Sequence, residues 1–78
     1  MFLKVNDHIE SNPKIMFGKP VIKGTRIPVD IVLEKMAHGN TFDDILEDYP
    51  QITVQSIYAC LLYASLQIKN ENIYSIAS

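Results

Sequence analysis

Gly18–Asp30, GKPVIKGTRIPVD, is the stretch whose reading decides the fold. It holds two of the three glycines, two of the four prolines and three of the seven basic residues. Its apolar residues, Val21, Ile22, Ile27 and Val29, are all β-branched, which favours strands. Pro20 and Pro28 fix φ and remove donors, so they suit strand starts and edges. Gly24-Thr25, between two apolar pairs, predicts a tight turn or bulge. The stretch therefore reads as a short basic β-arm that feeds a helix at Asp30. Everything after Asp30 reads as helical, and everything before Gly18 leads into the arm.

Working back from the arm, Lys14–Phe17 is an apolar run expected to pair with Pro20–Lys23, so the arm spans about 14–29. Ser11-Asn12-Pro13 is a turn signal. Phe2, Leu3 and Val5 offer a weak edge strand.

Working forward, three helices are expected at about 30–38, 42–48 and 54–68. Asp30 serves the first as N-cap or first-turn acid, and Gly39 ends it. Ile31, Val32, Met36 and Ala37 are its expected apolar face, with Leu33 beside it. Thr41 starts the second helix, with Asp44 in a capping-box position and Phe42, Ile45 and Leu46 inward. Pro50 stops that helix. Thr53 caps the third, whose expected buried stripe is Val54, Ile57, Leu61, Ala64 and Ile68. Tyr58, Leu62 and Ser65 widen the stripe, the mark of a central helix or one that also meets a second subunit. Residues 70–78 read as a tail with spaced apolar anchors Ile73, Tyr74 and Ile76.

The whole is one domain of 78 residues, a size at which a core usually needs outside support. A lone cysteine, Cys60, excludes an internal disulfide, and two distant histidines make no zinc pattern. A homodimer is the expected support. No apolar run is long enough for a membrane span or signal peptide, so a cytoplasmic protein is expected. Net charge is −2, unevenly spread. Residues 1–28 carry +3 and residues 29–78 carry −5. A basic arm on an acidic body suits nucleic acid, an acidic partner or another copy of itself; a merely solvated face is the plain alternative.

Residues 42–63 have helix-turn-helix spacing, with Gln55, Ser56 and Ala59 expected to face outward from the second helix of the pair. None of these is basic, and Asp43, Asp44, Glu47 and Asp48 precede them, whereas DNA affinity comes mainly from cations meeting phosphates. The arm is the better nucleic-acid candidate. The candidate DNA-binding residues are thus Lys19, Lys23 and Arg26, with Gln55 and Ser56 behind them. An internal ion pair from Arg26 to Asp30 or another acid, ordering the arm, is an equally weighted expectation. A phosphate-binding G-x-x-x-x-G-K-[ST] pattern is absent, since Lys19 is followed by Pro20. His8 and His38 have no nearby nucleophile, and Cys60 sits among apolar residues. No catalytic residue, metal ligand or cofactor site is expected, so the chain does not read as an enzyme.

GKPVIKGTRIPVDIVLEKMAHG, followed by T-x-x-x-I-L-E-D-Y-P-Q-I-T, resembles domain-of-unknown-function family 433 from about Asp7 to Ala64. The resemblance implies a mainly α fold, a three-helix homeodomain-like helix-turn-helix core behind a short N-terminal β-arm. It also implies an antitoxin of a type II toxin–antitoxin pair. Such a protein is a cytosolic dimer that neutralises a PIN-like ribonuclease toxin and binds its own operator DNA. Ile73, Tyr74 and Ile76 are the candidate toxin-binding anchors. A stand-alone helix-turn-helix regulator and a structural dimerisation module stay open as alternatives.

Overall fold

The structure, a computed structural model, describes residues 3–70. The fold is mainly helical, with three helices behind a two-stranded antiparallel arm. The arm begins earlier than the sequence suggests. Strand β1 is Ile9–Glu10 and strand β2 is Val21–Ile22, with Ile9 opposite Ile22 and Glu10 opposite Val21. Lys14–Phe17 does not pair with β2. Met16–Gly18 instead closes a 3-10 turn, and Val5–Asp7 forms another in place of the expected edge strand.

β2 returns on itself within a few residues. Thr25 N–H donates to Ile22 O at 3.0 Å, and Gly24 has φ 79°, a left-handed conformation that suits glycine. Ile22 N–H then donates to Ile27 O at 2.9 Å, and Val29 N–H to Pro20 O at 3.0 Å. The Thr25 hydroxyl locks the corner, bonding Ile22 O at 2.6 Å and accepting from Ile27 N–H at 3.0 Å. Val21, Ile22, Ile27 and Val29 are therefore all buried within one compact reversal.

Helix α1 is Val29–Ala37, with Pro28 at its N-cap and Asp30 in its first turn. It ends in a Schellman motif. Asn40 N–H donates to Lys35 O and Gly39 N–H to Met36 O, both at 3.0 Å, with Gly39 at φ 94°. Its inward face is Val29, Val32, Leu33 and Met36; Ile31 and Ala37, expected inward, are exposed. Helix α2 is Phe42–Asp48, opened by a full capping box between Thr41 and Asp44. Helix α3 is Val54–Asn70. Its start repeats the device with serine in the acid's place. Ser56 N–H donates to Thr53 Oγ1 at 3.3 Å, and Thr53 N–H donates to Ser56 Oγ at 3.2 Å.

α3 is the common wall. α1, α2, β1 and the first 3-10 turn all pack on it. Its inward residues are Ser56, Ile57, Ala59 and Cys60, with Tyr63 at the core's edge. The stripe expected from the sequence is thus displaced: of its members Ile57 is buried, Ala64 half-buried, and Val54, Leu61 and Ile68 face out. Small Ala59 and Cys60 let neighbouring elements approach α3 closely, which larger residues would prevent.

Candidate partner-binding site

Two surfaces stand out, one on the arm and one on α3. The arm side is built around the loop between β1 and β2. Asn12 opens it with an Asx turn, its Oδ1 accepting from Lys14 N–H at 2.9 Å and its carbonyl from Ile15 N–H at 2.8 Å. Gly18 N–H donates to Ile15 O and Lys19 N–H to Met16 O, both at 3.1 Å. The Ser11 hydroxyl donates to Gly18 O at 2.5 Å and ties the two ends together. The closed loop turns through three successive left-handed residues, Met16 (φ 50°), Phe17 (φ 57°) and Gly18 (φ 84°). For a residue with a Cβ, each such conformation costs roughly 1–2 kcal/mol. The Phe17 side chain is 100% exposed and Met16 beside it 38%.

Sequence reasoning missed Phe17. The signal was an aromatic residue next to Gly18 and after Pro13, a turn composition that leaves no strand for it to join.

The surroundings are positive. Between Ser11 and Val29 lie Lys14, Lys19, Lys23 and Arg26 and no acid. Lys19 is engaged, its Nζ 2.9 Å from Asp30 Oδ2. The hydrogen bond from Lys19 holds the Asp30 carboxyl below its ordinary pKa, against a small opposing effect of burial. The expected Arg26–Asp30 pair is therefore not the one formed. Arg26 is exposed and makes no ion pair among the described residues. Lys23 is exposed, with Nζ 3.4 Å from Asn6 O and its backbone N–H donating to His8 O at 2.7 Å. Glu10 Oε2 accepts from Gly24 N–H at 3.0 Å, so the acid of β1 is spent on the turn.

The α2–α3 pair is less suited to a DNA groove than its spacing implies. Ser56, expected to face outward, is buried at 6% because its hydroxyl serves the cap with Thr53. Ala59, also expected outward, is fully buried against the core. Gln55 is exposed in the first turn, between Val54 and the Ser56 cap. Lys35, the lysine nearest Asp43, Asp44, Glu47 and Asp48 in the sequence, is bound to Asp48 at 3.1 Å and lies 5.6 Å from the centre of the Tyr49 ring. The hydrogen bond to Asp48 raises the Lys35 pKa.

Further along, the outer face of α3 presents Val54, Tyr58, Leu61, Leu66 and Ile68 to solvent. Tyr58 is steadied by an edge-on contact with Phe42, ring centres 5.2 Å apart. On the opposite face Cys60 is buried, and burial pushes its thiol up to about 11. No group of three His, Cys, Asp or Glu residues able to hold a metal occurs among the described residues. Among them, too, no helix is long and apolar enough to cross a membrane. Ile73, Tyr74 and Ile76 lie outside the described residues.

Residues 9–64 match the model of the family described as a protein of unknown function, DUF433. A 56-residue segment is 36% identical to uncharacterized protein y4eO of Sinorhizobium fredii (strain NBRC 101917 / NGR234), over 72% of this chain and 25% of that protein. The chain thus spans a quarter of that relative's length. The crystal structure of a DUF433 member from Anabaena variabilis ATCC 29413 superposes with a TM-score of 0.76 at 25% identity. That match covers 83% of this chain and 64% of the crystallised one. With the family model spanning Ile9 to Ala64, from the first strand into the third helix, this chain belongs to the DUF433 family.

Proposed function

We propose that the protein is a protein-binding module of the antitoxin kind, one that docks on and neutralises a PIN-like ribonuclease. The observation that carries this reading is Phe17. A fully exposed aromatic on left-handed backbone gains no burial on folding and is costly in conformation, and such outliers cluster where a partner engages. A rigid loop with an apolar tip and Lys14 beside it suits a cleft that is apolar below and acidic at its rim. A PIN-like nuclease holds its metal with a cluster of carboxylates, so its cleft has that character. A cytoplasmic location goes with this reading, because the nuclease and its RNA are there.

The test is a pull-down of tagged protein from its native cells, with mass spectrometry of what co-purifies. A small PIN-like nuclease is expected, and Phe17→Gly should release it. Recovery of no protein partner, from cells that express the chain, would overturn the reading.

A second reading, operator DNA, is favoured by Lys23 and Arg26, which are exposed on a two-stranded arm, an element that a major groove admits. Neutralising both should weaken DNA binding and flatten its salt dependence. An unchanged salt slope would remove the arm from that model.

A further inference from the structure

We propose that the Lys23–Arg26 turn is a phosphate-binding site, whose place for an anionic oxygen is taken by the Glu10 carboxylate in the free protein. The turn is closed by Thr25 N–H donating to Ile22 O, and the Thr25 hydroxyl is committed to Ile22 O and Ile27 N–H. The Gly24 N–H is not part of that closure. It donates at 3.0 Å to Glu10 Oε2, so this backbone donor already holds an anionic oxygen. The space around Gly24 is open, since a Cβ built there would meet nothing within 4 Å. A tetrahedral anion can approach the backbone at such a turn, where a side chain would bar it.

Glu10 holds that place without a cation. It makes no ion pair among the described residues, although Lys23 directly precedes the donor and Arg26 closely follows it. Arg26 is exposed and likewise makes no ion pair among the described residues. Its Cα lies within about 7 Å of that of Gly24, because only Thr25 separates them. Lys23 is exposed, and its Nζ has a 3.4 Å contact with Asn6 O. Lys19, by contrast, is already paired with Asp30. The carboxylate that reaches over from β1 therefore satisfies the N–H and leaves both neighbouring cations unused. A phosphate brings more oxygens to the same place. One accepts from Gly24 N–H, while others take the Arg26 fork and the Lys23 ammonium. The ligand chemistry is a phosphate oxygen, whether of the free anion or of a nucleic-acid backbone.

This site goes beyond the antitoxin reading and does not depend on it. Amide NMR of the full chain tests it, with sodium phosphate as the probe and sodium chloride at equal ionic strength as the reference. The Gly24 N–H peak should shift and saturate with phosphate and not with chloride. Glu10→Gln keeps an acceptor for Gly24 N–H but removes the competing charge, so it should tighten phosphate binding by about tenfold. Arg26→Gln, at an exposed side chain, should weaken it by about tenfold. The same Gly24 shift in chloride, or none in phosphate for the Glu10→Gln protein, would overturn the site. So would an affinity that Arg26→Gln leaves unchanged. Should Glu10→Gln not fold, the native chain and Arg26→Gln decide by the same peak. A short single-stranded oligonucleotide then replaces phosphate. Tighter binding that moves Gly24 and strengthens with Glu10→Gln assigns the site to a nucleic-acid backbone, and a response to inorganic phosphate alone assigns it to the free anion.

Discussion

Phe17 lowers the stability of the isolated chain through its left-handed backbone, while its ring, as exposed in the fold as in the unfolded chain, gives folding no apolar burial. Phe17→Gly relieves the strain and gives back part of the gain as unfolded-chain entropy. A net rise in stability of about 0.5–1 kcal/mol is expected in urea unfolding. A fall would mean that the ring packs in the free chain. The same substitution should weaken partner binding, and this opposition of stability and binding separates a docking residue from a structural one. At Cys60 the expected outcome is chemical. With the thiol pushed up to about 11, almost no thiolate exists near pH 8, so native protein should react with a thiol reagent far more slowly than unfolded protein. Equal rates would contradict its burial. Ile45 and Ile57 are fully buried at the meeting of the helices, and either one changed to Ala should cost about 2–5 kcal/mol. For a domain this small, that loss is a large part of the total.

At the scale of elements, the two caps should behave alike. Thr41→Ala and Thr53→Ala each remove a hydroxyl acceptor from a helix start, at about 1 kcal/mol apiece in thermal or urea unfolding. The Thr53 change should cost more, because it also takes away the hydroxyl that faces the buried Ser56 Oγ and leaves that oxygen with the Thr53 backbone N–H alone. How legible each element was depended on how many readings its residues allow. α2 was readable because Thr41, Asp44 and Pro50 bracket it and Ile45 has one possible side to face. β1 was not readable. Ile9 and Glu10 are two residues among polar neighbours, and only their pairing with Val21 and Ile22 makes them a strand. α3 misled in its register, not in its existence. It is apolar on more than one side, so helical periodicity admits both the expected 54/57/61/64/68 and the observed 56/57/59/60 as the buried set. The Thr53–Ser56 cap and the small Ala59 and Cys60 decide between them, and that choice is made by packing. For the candidate site, the basic residues of the arm were visible in sequence. Their inequality was not: Lys19 is drawn off by Asp30, and the loop that lifts Phe17 out depends on Ser11 reaching Gly18 across the turn.

At the scale of the molecule, the chain sets a basic arm with an aromatic tip ahead of an acidic helical body whose third helix carries no charge from Val54 to Ile68. The ion pairs that join parts of it are exposed and small. Asp30 has its pKa lowered by Lys19, so its contribution is present above the unfolded value of 3.8 and is lost as pH falls through the lower folded value. Lys35 has its pKa raised by Asp48, so its contribution is present below the unfolded value of 10.5 and is lost as pH rises through the higher folded value. These two groups leave stability unchanged between those limits, but Cys60, held neutral in the fold up to about 11 against an ordinary 9.0, makes it fall as pH rises above 9.0. Lys19→Ala should reduce the acid-side dependence while costing less than about 1 kcal/mol at neutral pH. A steep change in unfolding free energy near pH 7 would contradict this arrangement.

The antitoxin reading is tested most directly by RNA cleavage. The nuclease recovered with the protein is assayed on a single RNA while the protein is titrated in. Cleavage should stop at a fixed stoichiometry, and Phe17→Gly should restore it. Undiminished cleavage at saturating protein would contradict the proposed function.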